Sequence, residues 1–294
     1  MAYNQFTCDS SGAITGWGEN CSPDISAYAK VFLTDYDFTF TTQTLANTLS
    51  QWQSDISDKN IYPLPMVSEM DNNSEGATKY TSPITGAQIV TRKGKQAETY
   101  RMVFDPCLNN RLQAFDGKKC RMILVDNNDN VIGTTPDGTI FKGFAIERFD
   151  MENWITSDGT NPAFIQFSVS YEYNSEREAE LATFKAGFNI KSLNGIIPAS
   201  LTEVGTSNAT TVIVDVVTAC DGVGISGLEV GDFIFLQDSD GLEETINTAT
   251  ESTTIPGRYT LAATAFETGT VNLRDVVNVG SSYYQGTAIA ITIA

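Results

Sequence analysis

Every second residue is apolar in several stretches of the chain, which is the spacing of a β-strand with one buried face. Residues 164–173 show it most clearly. Their apolar positions are Ile165, Phe167, Val169, Tyr171 and Tyr173, and their polar positions are Gln166, Ser168, Ser170 and Glu172. Similar alternation at 31–40, and a pair of strands at 121–125 and 131–132, predict a mainly β body.

Two segments of the body have helical signals instead. The first has Thr41 or Thr42 as its N-terminal cap, followed by apolar residues at helical spacing: Leu45, Leu49, Trp52 and Ile56. The second begins with a capping box, 175–178, and is predicted to run as a helix through Leu181 and Phe184. The body is therefore predicted to be a β-rich α+β domain, a β-sandwich with one or two flanking helices, over residues 1–194.

Three segments of the body look suited to contacts with other molecules. Residues 2–26 are polar and rich in Gly and Ser, and are predicted to form an N-terminal arm. Residues 62–86 contain Pro, Asn, Asp and Gly and are predicted to form one long irregular loop. Residues 92–95 carry three cations and are predicted to be the basic tip of a hairpin between strands 89–92 and 99–104.

The last third of the chain reads as a second domain, residues 200–294, after a linker at 195–205. Short strands with turn residues between them predict a small β-sandwich there. The predicted strands are 211–217, 233–236, 258–263, 270–273 and 287–293. A length of 294 residues agrees with two domains.

Charge excludes a nucleic-acid-binding surface as the main function. The net charge is −18, and residues 200–294 hold twelve carboxylates against Arg258 and Arg274. Binding to phosphates needs clustered cations, so DNA should be repelled overall. We expect no secretory leader and no membrane span, and we expect the five cysteines to be free thiols, mostly buried.

The chain contains no histidine, which removes the commonest general base and most transition-metal sites. No phosphate-binding loop, nucleophile elbow or dinucleotide fingerprint is present in the sequence either. The glycine-rich stretch 221–227 is interpreted as a connection between strands. We therefore expect no enzyme, no catalytic residue, no cofactor and no bound metal.

Three groups of residues have a second interpretation. The oxygen-rich segment 126–130 resembles a calcium loop, but Val131 replaces the glycine that such a loop needs, so a hairpin turn is favoured. The acidic turn 238–244 is interpreted as solvated rather than as a cation clamp. Four aromatic residues are assigned to core or subunit interface, with a carbohydrate platform as the alternative: Trp52, Trp154, Tyr171 and Tyr173.

A resemblance adds to this interpretation. The stretch 210–217, the step 227–233 and the strand 256–261, with the sequences TTVIVDVV, GLEVGDF and PGRYTL, resemble the immunoglobulin-like modules of phage tail and bacterial surface proteins. The paired cysteines and buried Trp of antibody domains are missing, so the resemblance implies only the loose immunoglobulin-like class. By its architecture, the body resembles a tail tube protein of a long-tailed phage.

These resemblances imply a structural virion protein that self-assembles into rings, expected to be hexameric, stacked as the tail tube through which DNA passes without specific binding. The implied partners are further copies and other tail or capsid proteins, and the implied location is the virion, assembled in the host cytoplasm. The interface candidates are residues 2–26, 62–86 and 92–95. A capsid decoration or tail-accessory adaptor protein and a carbohydrate-binding tail protein are the alternatives.

Overall fold

The computed structural model describes residues 4–5, 25–173, 176–177 and 180–293. Strands make up 47% and helices 12% of the structure, which confirms the predicted mainly β, β-rich α+β class. The chain divides into two compact units, Met1–Leu193 and Asn194–Ala294, and each has its own hydrophobic core.

The first unit contains twelve of the strands and three α-helices that the structure describes. The strands are β1 Asn4–Gln5, β2 Tyr28–Thr34, β3 Ile61–Met66, β4 Glu69–Asn72, β5 Thr78–Thr81, β6 Gln88–Arg92, β7 Ala97–Val103, β8 Cys120–Asp126, β9 Asn130–Thr134, β10 Phe144–Met151, β11 Phe164–Tyr171 and β12 Leu181–Lys185. The helices are α1 Gln43–Ala46, α2 Leu49–Ser57 and α3 Pro106–Leu112, with 3-10 turns at Gln113–Phe115 and Ile190–Ser192.

Strand β8 organises the first unit. One of its edges pairs with β2, which in turn pairs with β3, and the other edge pairs with β9 and β10. The strands continue as β1-β12-β9-β8-β10-β11-β7-β4, so β4 and β1 are the two ends of this order. Strands β5 and β6 form a separate two-stranded sheet.

The core of the first unit lies between two groups of strands. Side chains from β2, β3, β8 and β9 share one cluster with side chains from β7, β10 and β11, which gives the unit a sandwich-like character. The rings of Phe149 and Phe167 stack at its centre, with centroids 4.8 Å apart. Ile165, Val169 and Tyr171 on β11 are buried in the same core, as the alternation predicts.

Helix α2 covers the other face of β2. The buried Trp52 ring lies 5.0 Å from the ring of Phe32, and its Nε1 donates a hydrogen bond to the Ala46 carbonyl oxygen at 2.8 Å. Thr42 caps α1, since its side chain accepts from the Leu45 amide. The prediction of one continuous helix is wrong, because α1 ends at Ala46 with Asn47 as its C-cap, and Thr48, whose backbone is extended, precedes the start of α2.

Two further predictions about secondary structure are wrong. The helix predicted to run through Leu181 and Phe184 is wrong from Leu181 onward: 176–177 are helical, but Leu181–Lys185 is strand β12, which pairs with β9 and buries Phe184. The predicted linker 195–205 is largely strand β13, Ile196–Glu203, of the second unit. Its alternating buried residues, Ala199 and Leu201, belong to that unit's core.

The described part of the second unit, 194–293, contains ten short strands. They are β13 Ile196–Glu203, β14 Thr211–Thr218, β15 Phe233–Gln237, β16 Glu243–Glu244, β17 Ile246–Glu251, β18 Arg258–Ala263, β19 Gly269–Leu273, β20 Val276–Val279, β21 Ser282–Thr287 and β22 Ile289–Ile291. One sheet has the order β17-β18-β14-β13-β21-β20, and the other has the order β16-β15-β19-β22. Both sheets contribute to one core, so the unit is a β-sandwich.

The cysteines differ from the prediction. Cys107 and Cys220 are disulfide-bonded, so the expectation of free thiols is wrong for both. Cys120 is a buried free thiol, and burial raises its pKa to about 12. Cys8 and Cys21 lie outside the described residues.

Candidate assembly surface

Strand β4 forms an exposed edge of the first unit. Its four residues pair with β7, and all four are exposed to solvent. The guanidinium of Arg101 on β7 binds the carboxylate of Glu69 at 2.9 Å and that of Asp71 at 2.7 Å. These ion pairs help to hold the edge strand to the sheet, and no strand of the described chain pairs with its outer edge.

The pairing of β4 continues along the chain as a two-stranded stalk. The Asn73 amide donates to the Ala97 carbonyl oxygen at 2.9 Å, and the Glu75 amide donates to the Lys95 carbonyl oxygen at 2.9 Å. At this level Gly94 lies against the Glu75 backbone, and no side chain would fit there. The stalk leads from the sheet edge into the isolated strands β5 and β6.

Strands β5 and β6 form a hairpin, Thr78 to Arg92, that we call the 78–92 hairpin. Tyr80 is paired with Ile89, and Lys79 with Val90. Paired residues lie on the same face, so one face carries Tyr80 and Ile89 and the other carries Val90. The turn is closed by hydrogen bonds from the Ser82 amide to the Ala87 carbonyl oxygen and from the Gly86 amide to the Ser82 carbonyl oxygen.

No described side chain of the 78–92 hairpin belongs to the hydrophobic core of the first unit. Every residue from Ser68 to Lys93 except Ser82 is exposed. Ile84 at the tip is 93% exposed, and Tyr80, Ile89 and Val90 are each more than half exposed. Among the described residues these apolar side chains are left uncovered, which makes the hairpin a candidate contact surface.

The structure corrects two of the predicted interface segments. Residues 62–86 are not one irregular loop: they include most of β3, all of β4 and β5, and the hairpin turn. Residues 92–95 are not a hairpin tip, since they lie at the root of the hairpin, where Arg92 pairs with Glu75 and Lys95 with Glu147. The tip is 82–87, which is uncharged.

Most of the predicted N-terminal arm, residues 2–26, lies outside the described residues. Asn4 and Gln5 pair with Thr183 and Ala182 on β12, and the Ser26 amide donates to the Asp126 carboxylate at 3.0 Å.

The four aromatic residues considered for a carbohydrate platform are not brought together. Trp52 and Tyr171 are buried in packed parts of the first unit, as the core assignment predicts. Trp154 and Tyr173 are about half exposed, and Trp154 packs on Phe104 with ring centroids 4.9 Å apart.

The two oxygen-rich segments are turns, and several of their carboxylates have protein partners. Asp126 accepts hydrogen bonds from the Asn128 amide, the Asn130 amide and the Ser26 amide. Burial raises its pKa, but these hydrogen bonds outweigh burial and lower it overall. In the acidic turn, Glu243 pairs with Arg274, and Glu244 accepts from Gln237.

The second unit carries a strongly acidic surface. Arg258 binds Asp215 through two nitrogens at 2.7 and 2.8 Å. With Arg274 paired to Glu243, both cations of residues 200–294 are neutralised by two of the twelve carboxylates, and ten carboxylates remain. This surface repels anions such as nucleic-acid backbones.

No protein-family model matches the chain, and no curated protein matches it. The resemblance to tail tube subunits therefore stays a prediction. Among the described residues, none of the helices has the length and apolar character that crossing a bilayer requires.

Proposed function

We propose that this protein is a structural subunit of a phage virion that assembles with further copies of itself into the rings of a tail tube. The observation that carries the proposal is the 78–92 hairpin. It extends from an open sheet edge and exposes apolar side chains that nothing in the described chain covers.

Hairpin physics supports an intermolecular role. A two-stranded hairpin alone is at best marginally stable in water, because it has no second layer to bury its side chains. Tyr80, Ile84 and Ile89 lie on the hairpin and are not part of the described core of the first unit. Docking on another subunit would bury these side chains, and the outer edge of β4 could pair with a strand from the same neighbour.

The charge of the chain supports a role as a conduit for DNA. A net charge of −18 opposes adhesion of a polyanion that has to pass without specific binding. The disulfide bonds of Cys107 and Cys220 are consistent with a virion, since disulfides persist on particles in oxidising surroundings. The second unit is proposed to be an outward immunoglobulin-like decoration, and other tail or capsid proteins are proposed as further partners.

The test is negative-stain electron microscopy of the full-length protein across a concentration series, with a variant that shortens the hairpin. Thr78 and Arg92 are paired in register, so an Asn-Gly turn can replace 79–91 without disturbing β4 or β7. We expect the wild type to form rings or hollow tubes and the shortened variant to remain a folded single subunit.

A point variant gives a finer comparison. Ile84→Asp places a charge at the exposed hairpin tip, and Val223→Asp is the matched control at an exposed turn of the second unit. The first should weaken assembly and the second should not. Tubes that form unchanged in the shortened variant would contradict the proposal, and wild-type subunits that stay dispersed at every concentration would favour a tail-accessory or decoration protein.

A further inference from the structure

Two consecutive residues of opposite charge in the connection between β11 and β12 enter separate buried sites. Glu176 accepts a hydrogen bond from the Ala145 amide at 2.7 Å, and its carboxylate lies 3.1 Å from Arg121 Nη1 and 3.6 Å from Lys142 Nζ. Its side chain is 6% exposed. A carboxylate buried this deeply is stable only with such partners, so Glu176 fixes the connection at one point.

Arg177 fixes the connection at a second point. Its Nη2 donates to Glu98 Oε1 at 2.7 Å, and its guanidinium carbon lies 4.2 Å from the centre of the Tyr171 ring and 5.6 Å from that of Phe144. The Tyr28 hydroxyl is a further hydrogen-bonding neighbour of the guanidinium. The site thus offers a carboxylate to the N–H edge of the cation and aromatic faces to its plane.

The carboxylate of Glu98 is also held by two tyrosines of the core. Its Oε2 accepts hydrogen bonds from the hydroxyls of Tyr100 and Tyr171, both at 2.5 Å. Burial raises the pKa of both tyrosines well above the ordinary value, so they stay protonated as donors. Glu98 is 4% exposed, and its Oε1 faces Arg177.

We propose that Glu98, Tyr100, Tyr171 and Phe144 form a guanidinium-binding site, which Arg177 fills from within the chain as a latch on the β11–β12 connection. A guanidinium group is planar, so it can donate from its edge to a carboxylate and stack its face on an aromatic ring at the same time, whereas an ammonium group is a compact point charge with no flat face. The site is therefore selective for guanidinium cations. Arg177 is a positioning residue, and this inference does not rest on the proposed assembly function.

The test is chemical rescue of Arg177→Ala in the full-length protein. The variant should unfold at a lower temperature than the wild type, and methylguanidinium at about 20 mM, far below denaturing concentrations, should raise its midpoint by about 3 °C. Methylammonium and urea at the same concentration and ionic strength should not. The wild type should show no such rise, because Arg177 occupies the site, and Glu98→Gln in the Arg177→Ala background should abolish the response.

Hydrogen exchange gives a second readout that a general effect on stability would not move. The amides of residues 176 and 177 should exchange faster in Arg177→Ala and become protected again with methylguanidinium, while amides of the second unit should not respond. If the variant is insoluble when expressed, the yield of soluble protein on refolding from urea, with and without methylguanidinium, replaces the midpoint. An equal response to methylammonium, or no response in either assay, would overturn the proposal.

Discussion

The backbone of Gly94 lies directly against that of Glu75, so that a Cβ atom on Gly94 would sit 1.8 Å from the Glu75 carbonyl oxygen. A Cβ atom cannot be accommodated at that distance. The clashing atom is a backbone oxygen, which cannot rotate away as the end of a side chain can. The root of the 78–92 hairpin is therefore closed only because residue 94 is glycine.

Gly94→Ala should separate the two strands of the stalk at this root while leaving the body of the first unit folded. We expect faster hydrogen exchange of the amides in β5 and β6, and weaker assembly if the hairpin is the assembly element. Gly76→Ala is the matched control, since a Cβ there would meet nothing within 4 Å. Equal exchange rates in the two variants would show that the root contact does not hold the hairpin.

Lys30 gives the first unit a pH dependence on the alkaline side. Its Nζ is buried and donates to the Lys191 carbonyl oxygen at 2.9 Å, and burial lowers its pKa from 10.5 to about 8. Below pH 8 the lysine is charged in both the folded and the unfolded protein. The free-energy cost of burying that charge then lowers the stability of the fold in full. Between pH 8 and 10.5 the unfolded state binds more protons, so the free energy of unfolding should rise with pH.

Lys30→Met should remove this rise. Comparing wild type and variant by urea unfolding from pH 7 to 9.5 keeps the measurement below the ordinary pKa of tyrosine, and the wild type should gain up to roughly 2 kcal/mol over that range relative to the variant. Lys185→Met, at an exposed position of β12, is the control and should keep the wild-type slope. Parallel pH curves for wild type and Lys30→Met would contradict the assignment.

Trp52 should account for most of the attachment of α2 to the sheet. Trp52→Ala removes a fully buried ring that contacts Phe32 and Phe40, and it should cost about 3–5 kcal/mol of unfolding free energy. Trp154→Ala is the matched control, because that ring is 49% exposed and should cost less than about 1 kcal/mol. Urea unfolding of both variants provides the comparison, and similar losses would show that α2 is not anchored by Trp52.

The sequence predicts those elements whose signal is local and periodic. Strand β11 and the β8–β9 hairpin follow from alternation and from the turn residues of 126–130, and the face of α2 follows from the spacing of Trp52 and Ile56. The elements missed are those decided by distant partners. Strand β12 follows a helix signal at 175–178 but is paired with β9, and β13 has linker composition but pairs with β14 and β21.

The same limit applies to the candidate surface. Prolines and polar residues between 62 and 86 indicate the absence of a helix, but they do not reveal that β4 pairs with β7, because that pairing joins residues about thirty positions apart. The guanidinium site has no sequence signal either. Glu98, Tyr171 and Arg177 come from three elements, and only the fold brings them together.

Tyr259 should stabilise the glycine-rich segment 221–227 of the second unit. Its buried hydroxyl donates to the Ile225 carbonyl oxygen at 2.8 Å and accepts from the Leu228 amide at 3.1 Å. Burial raises the pKa of this hydroxyl to about 12, so it remains a donor at neutral pH. The tyrosine hydroxyl thus satisfies one backbone acceptor and one backbone donor. It holds the chain at Ile225 and Leu228, where the segment rejoins the core.

Tyr259→Phe keeps the ring and leaves both backbone groups without that hydroxyl, which should cost about 1–3 kcal/mol of the second unit's unfolding free energy. Tyr284→Phe, at a half-buried position packed against the same core, is the matched control and should cost less. Hydrogen exchange resolves the two units in the intact chain, and the amides of Ile225 and Leu228 should lose the most protection. If Tyr259→Phe exchanges like Tyr284→Phe, the segment is held by strand pairing alone, and the tyrosine contributes only its ring.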